Sequence, residues 1–107
     1  MRKIYKISRA LSSETRLKIL KIIGSSSLTL SEITEKFNNS YHTHMYKESI
    51  YRELEQMVNA GILRKKYYQK DKKLKYEIAK KEIIINLGNL TVKEVNKDTE
   101  NEEKNEK

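Results

Sequence analysis

The stretch that decides the fold spans residues 49–63 and reads SIYRELEQMVNAGIL. Its apolar residues recur at i, i+4, i+7 and i+8, which is the spacing of one helix face: Ile50, Leu54, Met57 and Val58. Gly61 follows the last of them, where a helix can end in a left-handed turn without a Cβ clash. Basic, strand-like sequence comes next. The stretch therefore predicts an amphipathic helix, a glycine stop and the start of a strand.

Two helices are predicted at the start of the chain. The first covers residues 3–11, with apolar side chains at helical spacing. The second begins after Ser12 or Ser13, either of which can cap it, and carries Glu14 in its first turn, where the helix dipole favours a carboxylate. Apolar groups cover more than half of its surface, which indicates burial against several neighbours. It ends in the segment Gly-Ser-Ser-Ser at 24–27.

The third helix has the clearest start signal in the chain. Thr29 and Glu32 have the spacing of a capping box, in which a hydroxyl and a carboxylate each accept from a free backbone N–H. We predict about two turns, ending after Phe37. Residues 38–46 then form a connector much longer than the three or four residues of a standard helix-turn-helix turn. Either the next helix begins early, near Thr43, or this connector is a mobile loop.

Two β-hairpins are predicted after the long helix. The strands of the first cover residues 62–68 and 74–79, on either side of a short charged loop. Apolar and polar side chains alternate along the second strand, as in a half-buried strand. In the second hairpin, apolar residues from 83 to 92 share one face if Gly88-Asn89 is a two-residue turn, with 85 opposite 92 and 87 opposite 90. A dimerisation helix is the alternative for residues 82–95. We prefer strands because three consecutive isoleucines favour extended chain.

The charge distribution predicts the partner and the division of the chain. The net charge is +8, yet the last twelve residues are acidic overall, so residues 1–95 carry 20 basic and 10 acidic side chains. Such an excess attracts polyanions, with nucleic acid as the first candidate and an anionic membrane surface as the second. We predict a DNA-binding domain at 1–79, a C-terminal hairpin or dimerisation segment at 80–95, and a disordered charged tail at 96–107.

The composition argues against several kinds of site. The chain has no cysteine, so neither a disulfide nor a thiolate ligand is possible. His42 and His44 are the only histidines, and further metal ligands are not evident beside them. A Gly-x-Ser-x-Gly elbow and a glycine-rich phosphate loop are absent from the sequence. We expect no catalytic residues, no metal and no cofactor. No apolar run approaches the roughly 18 residues of a membrane span, so we expect a soluble, cytoplasmic protein.

Three segments resemble a known family. Residues 10–20, ALSSETRLKIL, resemble the Ala-Leu-Ser-x-x-Thr-Arg-x-x-Ile-Leu signature of ArsR-type winged-helix transcription regulators. Residues 30–33, LSEI, resemble the start of their third helix, and residues 49–63 resemble their recognition helix and its exit. The Ser-Ile-Tyr and Leu-Glu elements are also similar to PadR-type regulators. The resemblance covers residues 8–79 and implies an α+β winged helix-turn-helix with four N-terminal helices and a β-hairpin wing, in a homodimer that binds operators.

Together these features predict a sequence-specific regulator of transcription, a homodimeric repressor that binds double-stranded DNA. Residues early on the recognition helix are expected to read base edges in the major groove: Lys47, Ser49, Tyr51 and Arg52. Basic residues of the wing are expected to contact phosphates or the minor groove: Lys65, Lys66, Lys70, Lys72 and Lys73. Two alternatives fit the same sequence. One is a non-specific chromatin-like or RNA-binding protein, and the other is a winged-helix protein-interaction module whose basic surface is incidental.

Overall fold

A computed structural model describes residues 2–97, which form four helices followed by two antiparallel β-hairpins. The helices are α1 (Arg2–Leu11), α2 (Glu14–Ile23), α3 (Leu30–Tyr41) and α4 (Lys47–Asn59). The strands are β1 (Leu63–Tyr68), β2 (Lys73–Ile78), β3 (Lys80–Asn86) and β4 (Thr91–Asn96). The predicted α+β winged-helix fold is confirmed. Of the tail predicted at 96–107, all but the first two residues lie outside the described part of the chain.

The core lies where α2, α3 and α4 meet the base of the first hairpin. The buried side chains of α4 are Ile50, Leu54 and Met57, each 0% exposed, so the predicted apolar face of this helix is its core face. Val58, the fourth residue of that stripe, is half-buried at the edge of the same cluster. Between residues 2 and 97, every helix is too short or too polar to cross a bilayer.

Both predicted helix caps are present. The Ser13 hydroxyl accepts a hydrogen bond from the backbone N–H of Arg16 at 3.2 Å, which selects Ser13 over its neighbour as the cap of α2. At α3, the Thr29 hydroxyl accepts from the Glu32 N–H at 3.1 Å and the Glu32 carboxylate accepts from the Thr29 N–H at 2.9 Å. The hydrogen bond from the Thr29 backbone lowers the pKa of Glu32. These caps fix where α2 and α3 begin.

Helix α3 is longer than the sequence indicated. The prediction that it ends after Phe37 is wrong, because it continues for another turn to Tyr41. Asparagine and serine in that turn have poor helix propensity, which is why the sequence favoured a stop. The ring of Tyr41 packs on that of Phe37, with centroids 5.0 Å apart, and His42 ends the helix in a left-handed conformation with φ 54°. Tertiary packing thus overrides local propensity here.

The connector between α3 and α4 is shorter than predicted and is held by one asparagine. It covers only residues 42–46, and α4 begins at Lys47, not near Thr43. Asn38 Oδ1 accepts hydrogen bonds from Thr43 Oγ1 at 2.8 Å and from the Met45 N–H at 2.9 Å. Asn38 Nδ2 donates to the Met45 carbonyl at 3.0 Å. Both ends of the loop are therefore tied to α3, so the mobile-loop alternative is not supported.

The first hairpin, β1, β2 and the turn between them, is the wing. It pairs Lys65 with Tyr76 and Leu63 with Ile78 across antiparallel strands. Leu28, in the loop before α3, extends this sheet by one residue. Its N–H donates to the Tyr76 carbonyl at 3.0 Å, and its carbonyl accepts from the Tyr76 N–H at 2.7 Å. The base of the wing is thereby joined to the α2–α3 loop.

The second hairpin consists of strands, so the dimerisation-helix alternative for residues 82–95 is wrong. Ile85 lies opposite Val92, as predicted. The turn is longer than the predicted two residues, because the last pair of the ladder is Asn86 with Thr91 and residues 87–90 form the turn. The prediction that Leu87 lies opposite Leu90 in the ladder is therefore wrong. Asparagine side chains close this turn, since Asn86 Oδ1 accepts from the Asn89 N–H at 3.2 Å.

Candidate nucleic-acid interface

The outer face of α4 presents three of the four predicted base-reading residues. Lys47, Tyr51 and Arg52 are exposed on the first two turns, and Tyr51 exposes 44% of its surface. Ser49 is half-buried and lies closer to the core face. Tyr46, which is not among the four predicted base-reading residues, occupies the N-cap of α4, makes no side-chain capping bond and is 76% exposed. An aromatic and basic surface therefore surrounds the start of this helix.

Two glutamates that follow these residues in α4 fix the helix on opposite sides. Glu53 Oε1 accepts a hydrogen bond from Arg16 Nε on α2 at 2.9 Å. Glu55 Oε1 pairs with Lys65 Nζ at 3.2 Å, and Glu55 Oε2 accepts from the Tyr76 hydroxyl at 3.2 Å, both in the wing. The orientation of α4 is thus set by α2 behind it and by the wing beside it. No local sequence pattern indicates these contacts, because the partners of both glutamates are remote in the chain.

Arg16 and Tyr76 are suited to these roles by their surroundings. Arg16 Nη1 also donates to the carbonyls of Arg9 and Ala10, at 3.3 and 3.2 Å, so one guanidinium links the end of α1 to α4. Burial raises the pKa of the Tyr76 hydroxyl, and the neighbouring Glu55 carboxylate raises it further. Tyr76 therefore remains protonated and able to donate its hydrogen bond throughout the physiological pH range.

A buried carboxylate anchors the base of the wing. Glu77 is 3% exposed and accepts hydrogen bonds from the Tyr68 hydroxyl at 2.6 Å, Ser27 Oγ at 2.7 Å and Arg64 Nε at 2.7 Å. Burial works to raise the pKa of Glu77, but these three donors and the Arg64 charge outweigh it and lower the pKa to about 2. Glu77 is thus charged at neutral pH and connects both strands of the wing to the α2–α3 loop.

The five predicted wing residues fall into two groups. Lys70, Lys72 and Lys73 lie exposed at the tip, and none of them forms an ion pair with another residue in the 2–97 range. Lys65 is paired with Glu55, and Lys66 Nζ lies over the Tyr68 ring at 5.5 Å from its centroid. The tip lysines are therefore available to an external anion, whereas the two lysines of β1 already contribute to the position of the wing.

The donor set for a metal ion is poor. His42 and His44 are both exposed in the connector. Within the described residues, no three His, Cys, Asp or Glu side chains come together in a way that could hold a metal. The whole sequence contains no cysteine and two histidines. The residues present therefore do not fit a three- or four-ligand metal site.

Comparison with known proteins identifies the family. The model of the ferric uptake regulator family matches residues 9–107. A search of curated protein sequences found no match.

Solved structures of low sequence identity share the fold. The ferric uptake regulator of Vibrio cholerae is 20% identical with a TM-score of 0.57, over 94% of this chain and 81% of that one. The ferric uptake regulator of Helicobacter pylori is 21% identical with a TM-score of 0.59, over 97% and 76%. A homodimeric winged helix-turn-helix DNA-binding domain from Mycobacterium bovis, a possible ArsR-family transcriptional regulator, is 17% identical with a TM-score of 0.61, over 73% and 65%.

The prediction of a winged-helix regulator is confirmed, and the assignment to the ArsR type is wrong. The segments that resemble ArsR-type regulators lie in the winged-helix part of the chain. The structural likeness to the possible ArsR-family domain covers 73% of the whole chain. The family model, in contrast, extends through both hairpins. Because that model matches nearly the whole chain, the protein belongs to the ferric uptake regulator family of winged-helix, DNA-binding transcription regulators.

Proposed function

We propose that the protein is a homodimeric repressor that recognises a specific double-stranded DNA sequence with α4 and contacts the backbone with the wing. The observation that carries this proposal is the arrangement of α4, which is fixed by Arg16 on one side and by the wing on the other while Lys47, Tyr51 and Arg52 stay exposed. A rigid helix with a free, basic outer face is what major-groove recognition requires.

The base-reading roles follow from the chemistry of the exposed side chains. Arg52 can form a bidentate pair with guanine O6 and N7, which is worth about 1–3 kcal/mol of discrimination against other bases. Tyr51 can contact a thymine methyl group with its ring. Lys47, at the first position of α4, can reach a base edge or a phosphate. Ser49 is half-buried, so it can contact a base only where the DNA lies directly against the start of α4.

The proposed backbone contacts are divided according to what the lysines already bind. Lys70, Lys72 and Lys73 at the tip would lie on phosphates or in the minor groove. Lys65 and Lys66 would act mainly by holding the wing beside α4, through Glu55 and the Tyr68 ring respectively.

We also propose that residues 80–95 are the dimerisation segment and residues 1–79 the DNA-binding domain. The sheet formed by β3 and β4 has two strands, so both of its edges are unpaired within residues 2–97. Ile84, Leu87 and Leu90 on this hairpin are 51%, 78% and 45% exposed. A second copy would cover this apolar surface.

No step of this mechanism passes through a metal. The ferric uptake regulator of Helicobacter pylori has three functional metal binding sites. The donors of this chain do not fit such a site, since it has no cysteine and its two histidines are exposed in one loop. The proposed DNA contacts are therefore made by the protein's own side chains. As a DNA-binding regulator the protein would work in the cytoplasm, beside the chromosome.

A salt titration on two DNA molecules tests the proposed function. In vitro selection from random duplexes first supplies a preferred sequence, and its affinity is then compared with that of a scrambled duplex from 50 to 200 mM salt. The proposal expects a sequence preference that persists at 200 mM salt. Equal, steeply salt-dependent affinities would instead favour the non-specific nucleic-acid-binding alternative, and failure to bind either duplex would favour the protein-interaction module.

A further inference from the structure

A basic cleft lies between α1 and the C-terminal half of α4, which we call the α1–α4 cleft. It has a volume of about 340 Å³. Four basic side chains line it, together with two side-chain amides: Arg2, Lys6, Arg9, Arg16, Gln56 and Asn59. Of the described residues that form its wall, none is acidic. Arg16, one of the four basic side chains, is already paired with Glu53.

These basic groups are not needed to satisfy the end of α4. Cations near a helix C-terminus often serve the last free carbonyls. Here backbone N–H groups already do so: Ala60 donates to the Gln56 carbonyl at 3.2 Å, and Ile62 donates to the Met57 carbonyl at 2.9 Å. Gly61 completes the cap by donating to the Val58 carbonyl at 3.0 Å. The charge in the cleft is therefore not needed to satisfy these three carbonyls.

Two of the four cations are also unengaged. Arg16 is committed to Glu53 and to backbone carbonyls, and Arg9 donates to the Tyr5 hydroxyl at 3.0 Å. The side chains of Arg2 and Lys6, in contrast, form neither a hydrogen bond nor an ion pair with any residue between 2 and 97. Their neighbour Lys3 points elsewhere and pairs with Glu94 on β4 at 2.7 Å.

The cleft continues the outer stripe of α4 on which Arg52 lies. Arg52, Gln56 and Asn59 are spaced i, i+4 and i+7, so they share one face of the helix. At 1.5 Å per residue, Asn59 lies about 10 Å beyond Arg52 along the axis. The major groove is about 12 Å wide. When Arg52 contacts a base edge, the cleft therefore falls near the rim of the groove, where the phosphates are.

We propose that the α1–α4 cleft binds a phosphate of the DNA backbone beside the major groove, with Arg2 and Lys6 as the contacting side chains and Arg9, Gln56 and Asn59 as additional donors. This inference rests on the proposed function and adds to it a phosphate site remote from the wing. The site positions the duplex along α4 and reads no base, because a phosphate carries no sequence information.

The test uses exposed residues of one helix. Lys6→Ala and the double variant Arg2→Ala/Lys6→Ala remove the proposed contacts, and Lys3→Ala is the matched control, with the same charge change on the same helix but outside the cleft. Affinity is measured from 50 to 200 mM salt on the selected and scrambled duplexes. Lys6→Ala is expected to make the slope of log K against log[salt] shallower by about one, so that its loss of affinity over this fourfold range of salt is about fourfold smaller. The change is expected on both duplexes, and Lys3→Ala keeps the wild-type slope.

Three results would overturn the inference. The first is a wild-type slope in the double variant. The second is an equal change in Lys3→Ala, which would reduce the effect to overall charge. The third is saturable binding of inorganic phosphate at Lys6, seen by NMR, that duplex DNA does not displace, which would assign the cleft to a small anion. The proposed function fails separately, because it depends on sequence preference, whereas the slope change in Lys6→Ala is measured on either duplex.

Discussion

Arg16 on α2 donates a hydrogen bond from Nε to Glu53 Oε1 on α4 at 2.9 Å, and the two side chains are only 20% and 29% exposed. This pair joins α2 to α4, the helix that carries the proposed DNA-reading surface. Arg16→Ala is expected to lower the free energy of unfolding by about 2 kcal/mol, because it removes the ion pair and the bonds to the end of α1. Urea unfolding measures the change. Glu14→Gln is the control, since Glu14 forms a 3.5 Å pair with Lys18 but is 85% exposed, and a loss as large as that of Arg16→Ala would contradict the prediction.

Arg52 is the residue whose replacement should relax sequence specificity. Arg52→Ala is expected to reduce the preference for the selected duplex by about 1–3 kcal/mol while binding to scrambled DNA falls less. Arg52→Lys is the matched control, because it keeps the charge but lacks the planar fork that forms a bidentate pair. We expect it to keep the salt slope and to lose the preference. Competition binding with both duplexes measures this, and equal losses on both would rule out base reading by Arg52.

The wing tip should contribute affinity without specificity. Lys72 has φ 53°, so Lys72→Asn is the variant of choice, since asparagine tolerates the left-handed conformation. We expect weaker binding to all sequences and a salt slope shallower by about one. A loss confined to the selected sequence would instead give Lys72 a role in base reading. The slope of Lys3→Ala again supplies the comparison.

The buried Glu77 makes the free energy of unfolding depend on pH in the acidic range. Its pKa is lowered from 4.5 to about 2, so its favourable contribution is complete above pH 4.5 and is lost as the pH falls towards about 2. The free energy of unfolding of the wild type should therefore decrease over this interval. Glu77→Gln should be less stable at neutral pH by about 1–3 kcal/mol and should show a flatter acid limb. Equilibrium unfolding at several pH values checks both expectations, and identical acid limbs would contradict them.

The proposed dimerisation segment can be tested without touching the DNA-reading surface. Ile84→Ser combined with Leu87→Ser replaces two exposed apolar residues of the second hairpin. We expect a larger monomer fraction in sedimentation equilibrium, because the surface that a second copy would cover becomes polar. Leu74→Ser in the wing, where the side chain is 46% exposed, should leave the mass unchanged. Unaltered mass in the hairpin variant would place the dimer contact elsewhere.

Structural features that depend on local sequence were predictable. The periodicity of residues 50–58, the Thr29–Glu32 capping box and the strands of the second hairpin all depend on residues a few positions apart. The exposure of Arg52 follows directly, because it lies opposite the apolar stripe of α4.

What the sequence did not reveal depends on remote partners. The last turn of α3 is stabilised by packing of Tyr41 on Phe37, against the propensity of the asparagines beside it. The connector is shaped by Asn38, whose side chain could equally have ended a helix. The Glu77 network and the Arg16–Glu53 pair join positions that no local pattern connects. The family assignment erred for a related reason, since the residues quoted for it specify the winged helix that both groups share.

The link between Ser27 and Glu77 also bears on how the protein becomes active during synthesis. These residues are 50 positions apart, so their contact closes a long loop at a considerable entropic cost. Helices α1 to α4 depend on nearer contacts and can form first. The wing can join them only after residue 77 has left the ribosome. A nascent chain that already displays α4 therefore lacks a fixed wing, and the proposed DNA-binding surface is complete only once the wing has emerged.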